Sequence, residues 1–153
     1  MSYCIDTSSL VDGWVRWYPP DVFPTVWEHL RRLANVGKIV SSEEVFRELE
    51  RKEDELFAWA KRYKGMFLPL DDAVQASVTE IMAAFPRLVD GRLGKSFADP
   101  FVIATARVTE RVVITGERPT GKVQRPKIPD VCQHFGVECI NLVELFRREK
   151  WTF

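Results

Sequence analysis

Thiols and imidazoles are scarce in this chain. Its 153 residues include three cysteines, Cys4, Cys132 and Cys139, and two histidines, His29 and His134. The odd cysteine count and the lack of a CxxC pair argue against a disulfide framework and for a reducing compartment. Neither histidine forms a ligand-spaced pair with another His or Cys, so the common zinc constellations are missing too. Net charge is also lacking: 22 Lys and Arg balance 22 Asp and Glu. That excludes a strongly basic coat for nucleic acid, and any nucleic-acid contact must come from a local patch. No apolar run approaches the ~20 residues of a membrane span. MSYCIDTSSL has neither the basic start nor the long apolar core of a secretory leader, so the expected location is cytoplasmic. There is no internal repeat, low-complexity tract or interdomain linker.

What is present is a globular composition. At 46% hydrophobic and 29% charged residues the chain is too apolar for disorder. Its length suits one domain over residues 1–153 with a real core. SYCI, KIV, RVVIT and VECI read as strands, with MFLPL as a short extended piece. Val112, Val113 and Ile114 make RVVIT the strongest of these. TSSLVDGWVRW, TVWEHLRRLANVG, SSEEVFRELERK, DELFAWAKRYKG, DDAVQASVTEIMAAF, 100–108, IPDVCQHFG and NLVELFRRE read as helices. GRLGK and ERPTGKVQRPK read as loops. Strands alternating with helices argue for a parallel sheet covered on both faces. Right-handed crossovers then gather the strand carboxyl ends on one edge, where such folds bind ligands.

The acids fall toward that edge. Asp6 follows the first strand, Asp99 precedes Pro100 at the mouth of an apolar helix, and Glu117 follows RVVIT by two residues. Glu48 borders the apolar face of the helix after KIV, with Glu44 one turn earlier as its rival. Clustered carboxylates repel and raise one another's pKa, and a divalent cation removes that cost. An all-oxygen set suits Mg²⁺ or Mn²⁺. Such a metal pair suits phosphodiester hydrolysis, one ion activating water and the other stabilising the leaving oxygen.

Each acid also has a structural alternative. Asp6, like Ser8 or Ser9, is placed to cap a helix, and Asp99 before Pro100 matches a cap followed by a first-turn proline. Glu48 is spaced to pair with Lys52, and Glu43 with Arg47. Glu117 sits in a loop beside Arg118, where acids are common. The basic run Arg118, Lys122, Arg125 and Lys127 reads either as a solvated loop or, beside a working site, as a holder of phosphates. The tryptophans favour packing over base stacking.

IDTSSL, IVSSEEVFREL, ADPFVIATA and VVITGE, in that order and spanning nearly the whole chain, resemble the successive acidic motifs of PIN domains. The likeness is greatest to VapC-like toxins. It implies an α/β, PIN-like three-layer sandwich, with a central parallel β-sheet flanked by helices, and a Mg²⁺- or Mn²⁺-dependent endoribonuclease. It implies catalytic and metal-holding roles for Asp6, Glu48 and Asp99, with Glu117 helping to hold a second ion. It also implies ligand-orienting roles for Ser8 and Thr115, and favours Glu48 over Glu44. The family usually has Asp where Glu117 stands, which leaves Asp130 in KIPDVC as an alternative fourth acid. Further expectations from the resemblance are an RNA substrate, a small antitoxin that covers the site, and a homodimer. Two alternatives stay open. One is a degenerate PIN domain that binds RNA without cutting. The other is a receiver-like signalling domain phosphorylated on Asp6. A haloacid-dehalogenase phosphatase is disfavoured, because DTS lacks a second Asp two residues after the first.

Overall fold

The structure is a computed structural model and describes residues 1–89 and 97–153. The expected GRLGK loop and Ser96 lie outside the described residues. Five short strands form one all-parallel sheet: β1 (Tyr3–Ile5), β2 (Ile39–Ser42), β3 (Phe67–Leu68), β4 (Val112–Ile114) and β5 (Cys139–Ile140). Their spatial order is β3-β2-β1-β4-β5. Tyr3 aligns with Ile39 on one side and Val112 on the other, so β1 is the central strand. Its three residues are at most 1% exposed, as expected for a strand covered on both faces.

Among the described residues, eight α-helices connect the strands. They are α1 (Thr7–Asp12), α2 (Pro24–Asn35), α3 (Glu43–Glu50), α4 (Glu55–Arg62), α5 (Asp72–Ala84), α6 (Asp99–Val108), α7 (Ile128–Phe135) and α8 (Leu142–Arg148). A π-helical stretch, Gly13–Trp17, continues α1. The connections from β1 through β3 run in one direction across the sheet, and those from β3 through β5 run back. With right-handed crossovers, α1 to α4 therefore cover one face and α5 to α7 the other. On the first face Trp14, Trp27 and Trp59 pack edge to face or tilted, with Trp14 and Trp27 centroids 4.6 Å apart. On the second face α6 is enclosed by the sheet, α5 and α7. That enclosure explains its apolar sequence on every side, with Val102, Ile103, Ala104 and Ala106 all buried.

The strand order decides one open question. Receiver domains have the third strand beside the first, in the order 2-1-3-4-5. Here β3 pairs only with β2, at the far edge. The receiver-like alternative is corrected on that ground. Among the described residues no helix is long and apolar enough to cross a membrane.

Candidate functional site

The order of connections reverses between β1 and β4, and the crevice at such a point is where open α/β sheets bind ligands. Asp6 stands there. Its backbone N–H donates to the Ile114 carbonyl at 3.0 Å, which extends the β1–β4 ladder to the last residue before the loops. Its carboxylate takes three donors. Ser9 N–H reaches Oδ1 at 2.7 Å, Ser8 Oγ reaches Oδ2 at 2.7 Å, and Thr115 Oγ1 reaches Oδ2 at 2.5 Å. The Ser9 bond makes Asp6 the N-cap of α1, so the capping role and the site role fall on one residue. Neither Ser8 nor Ser9 is the cap.

Asp6 is 1% exposed, and among the described residues the partners of its carboxylate are hydroxyls and a backbone N–H. Burial pushes its pKa up to about 6, and those hydrogen bonds only partly offset the lost water. Thr115 is fixed in turn by the Glu117 N–H, which donates to its Oγ1 at 3.1 Å. Ser41, buried at the end of β2, donates to the Ile5 carbonyl at 2.6 Å and locks the neighbouring strand end.

The second group of acids lies at the head of α6. Because α6 leads into β4, it runs opposite to the strands and its N-terminus faces the same edge as Asp6. Cys4 Sγ lies 3.6 Å from the Val102 carbonyl, which sets the level of helix against strand. Asp6 is two residues beyond Cys4, and Asp99 is three residues before Val102, both toward that edge. Asp99 is only 8% exposed. It is not the cap that its sequence suggests. Ala98 holds the N-cap position, and Asp99 and Pro100 open the helix. The role passes to Glu48, whose Oε1 accepts the Ala98 N–H at 2.9 Å. A carboxylate from α3 therefore reaches past the sheet edge to serve a helix on the other face. Glu48 does not take the Lys52 partner its spacing allows. Glu44 turns instead to Arg47, which also lies 3.9 Å from Glu43.

The remaining candidates are placed differently. Glu117 is half-buried, and its Oε2 accepts the Ile128 N–H at 3.0 Å, where it serves the first turn of α7. Asp130 lies in the first turn of α7. Its carboxylate is filled from its own loop by the N–H groups of Thr120, Gly121 and Lys127 at 3.0, 2.9 and 2.8 Å. Burial works to raise its pKa, yet those backbone donors hold it below the ordinary value. Asp130 thus staples the loop that carries the basic residues. Arg118, Lys122, Arg125 and Lys127 are all exposed. Sequence reasoning missed the structural parts of Ser41 and of Trp17, which packs against Gly116. The Ser-Ser pair at the end of KIV was a signal for the first, but it reads equally as a cap.

Among the described residues no group of three or more His, Cys, Asp or Glu side chains converges closely enough to hold a metal. The donor chemistry nevertheless fits a hard divalent cation, since it consists of oxygens around a buried carboxylate whose partners among the described residues are neutral. An orphaned polar atom agrees with that: Thr7 Oγ1, next in sequence to Asp6, is buried without a hydrogen-bond partner among the described residues.

A family model described as "Domain of unknown function (DUF4411)" matches residues 3–153. No curated protein matches the chain. Among solved structures, a chain in the crystal structure of VapBC2 from Rickettsia felis bound to a DNA fragment from their promoter is similar. The TM-score is 0.55 at 14% identity, over 92% of this chain and 98% of that one. The fold is thus a PIN-like α/β sandwich, with helices on both faces of a parallel sheet.

Proposed function

This chain belongs to the DUF4411 family, and we propose that it is a divalent-metal-dependent endoribonuclease, the toxin of a toxin–antitoxin pair. The observation that carries this reading is Asp6: a fully buried carboxylate at the topological switch point, held among the described residues by neutral donors, on the edge that also receives Glu48 and Asp99. The similarity of fold to a VapBC2 chain supports it.

In this reading Asp6, Glu48 and Asp99 would hold Mg²⁺ or Mn²⁺, the cation drawing together carboxylates that do not by themselves close into a ligand set. The cation, when bound, supplies Lewis-acid activation of water and stabilisation of charge on the phosphodiester. Thr115 and Ser8 fix the orientation of Asp6 through the bonds described above, so that its carboxylate is set before a ligand arrives. Glu117, engaged by α7, carries a smaller share. The exposed Arg118, Lys122, Arg125 and Lys127 meet backbone phosphates of RNA. A small antitoxin covers the acid edge, and the toxin pairs with a second copy of itself.

The test is cleavage of a mixed set of structured RNAs by wild type and Asp99→Asn with Mg²⁺, Mn²⁺ or EDTA. The expected result is metal-dependent cutting that falls about 100-fold or more in the variant. Its circular dichroism and melting transition are followed in parallel, so that a loss of fold is told apart from a loss of chemistry. Equal cutting by both proteins would remove Asp99 from the site. The engagement of Glu117 by Ile128 favours a second reading, an RNA-binding domain without turnover. Tight binding with no metal-dependent cutting of any RNA would select it.

A further inference from the structure

Trp17 stands apart from the other four tryptophans. Trp14, Trp27 and Trp59 interlock, and Trp151 stacks on His29 at 4.8 Å. Trp17 is 43% exposed and pairs with no other ring among the described residues. It ends the π-helical stretch after α1, a rare geometry that concentrates at functional sites. Its six-membered ring covers Gly116, where an added Cβ would fall 2.7 Å from Cη2. Gly116 lies between Thr115, whose hydroxyl bonds Asp6, and Glu117. One part of the indole is thus fixed against the backbone of the acid edge, while much of the rest faces water. Arg16, 75% exposed in its side chain and 3.8 Å from the Asp12 carboxylate, precedes it in sequence, and the exposed Arg118 follows Glu117.

We propose that Trp17 is a stacking platform for a base of single-stranded RNA lying along the acid edge, with Arg16 and Arg118 meeting its phosphates. The proposal rests on the nuclease reading above. The occupant follows from place: the ring lies over the backbone between Thr115 and Glu117, on the edge where that reading lays RNA, and a part-exposed indole offers the π-face on which any base stacks.

The experiment measures binding of a fluorescein-labelled, 12-nucleotide single-stranded RNA by anisotropy, in Ca²⁺ and in EDTA. Wild type is compared with Trp17→Phe, Trp17→Leu and Trp17→Ala, each checked for an unchanged melting transition. Leu keeps cover over Gly116 without a π-face, and Phe restores the π-face. Ala and Leu should weaken binding roughly tenfold or more, and Phe less than about threefold. Equal affinity in all four proteins overturns the platform, as does a rescue by Leu equal to that by Phe. Unchanged RNA affinity with an altered sedimentation coefficient in Trp17→Ala overturns it in favour of a protein contact. No RNA binding by wild type overturns it together with the reading beneath it. The two failures are separable: cutting kept with Trp17-independent binding strikes the platform alone, and binding that depends on Trp17 without cutting strikes the nuclease reading alone.

Discussion

The two edges of the sheet each hold a carboxylate, and they treat it in opposite ways. At the amino-end edge Glu149 accepts the Tyr3 hydroxyl at 2.7 Å and the Lys38 ammonium at 2.8 Å. Burial works to raise its pKa, but Lys38 and Tyr3 outweigh it and hold the carboxyl below its ordinary value. At the carboxyl-end edge Asp6 is more deeply buried, has no such cation among the described residues, and is pushed up to about 6. An ion pair such as Glu149–Lys38 completes its own charge balance and secures the fold. A carboxylate left as Asp6 is left costs stability when ionised, and chains retain such groups where a ligand completes them.

The contrast can be broken at either edge. The largest effect is expected at Glu48. Gln at this position keeps an oxygen for the Ala98 N–H and loses only the charge. RNA cutting should therefore fall about 100-fold or more while the melting temperature stays near wild type, read by parallel turnover and calorimetric assays. A parallel fall in both would reduce Glu48 to a cap.

Next is the pH dependence set by Asp6. Below about pH 4 folded and unfolded chains both keep its proton. Between about 4 and 6 the unfolded chain ionises while the folded chain does not, so stability declines as pH rises and levels off above 6, by roughly 3 kcal/mol in the absence of divalent ions. Asp6→Asn should remove that decline, because the Ser8 and Thr115 hydroxyls can turn to accept from the amide. Urea titrations at pH 4 and pH 7.5 would show it, and parallel pH profiles for the two proteins would refute it.

The sign reverses at the other edge. Glu149 is held low, so its contribution is present above about pH 4.5 and is lost as pH falls through the lower folded value. Glu149→Gln should cost on the order of 1 kcal/mol at neutral pH, a difference that shrinks in acid and leaves RNA cutting unaltered. The smallest effect belongs to Glu117→Gln. With the carboxylate already serving Ile128, turnover should change less than about threefold, and a loss as large as that of Glu48→Gln would restore Glu117 to the centre of the site.

Much of this was legible in the residues. Helix boundaries followed from caps and breakers: Asp54, Asp71 and Asn141 each accept an N–H from the first turn of their helix. Strand–helix alternation indicated a parallel sheet, and the acids after β1 and β4 and at α6 were placed on one edge. What was not legible depended on partners distant in sequence. Asp99-Pro100 carries the local signature of a cap, yet Glu48, fifty residues earlier, displaces it by reaching the Ala98 N–H. Nothing near Asp130 in sequence shows that the loop from Thr120 to Lys127 folds around its carboxylate. Trp17 could not be told from its packed relatives, since exposure is a property of the assembled fold.

The bond from Glu48 to Ala98 has a consequence of its own. Glu48 Oε1 serves as the acceptor for an amide at the start of a buried helix and also belongs to the set of oxygens a cation would draw on. Ion capture that turns that oxygen away would leave the amide of residue 98 open to solvent deuterium. The exchange rate of one backbone proton would then gauge occupancy of the acid edge, with no substrate, product or antitoxin in the tube.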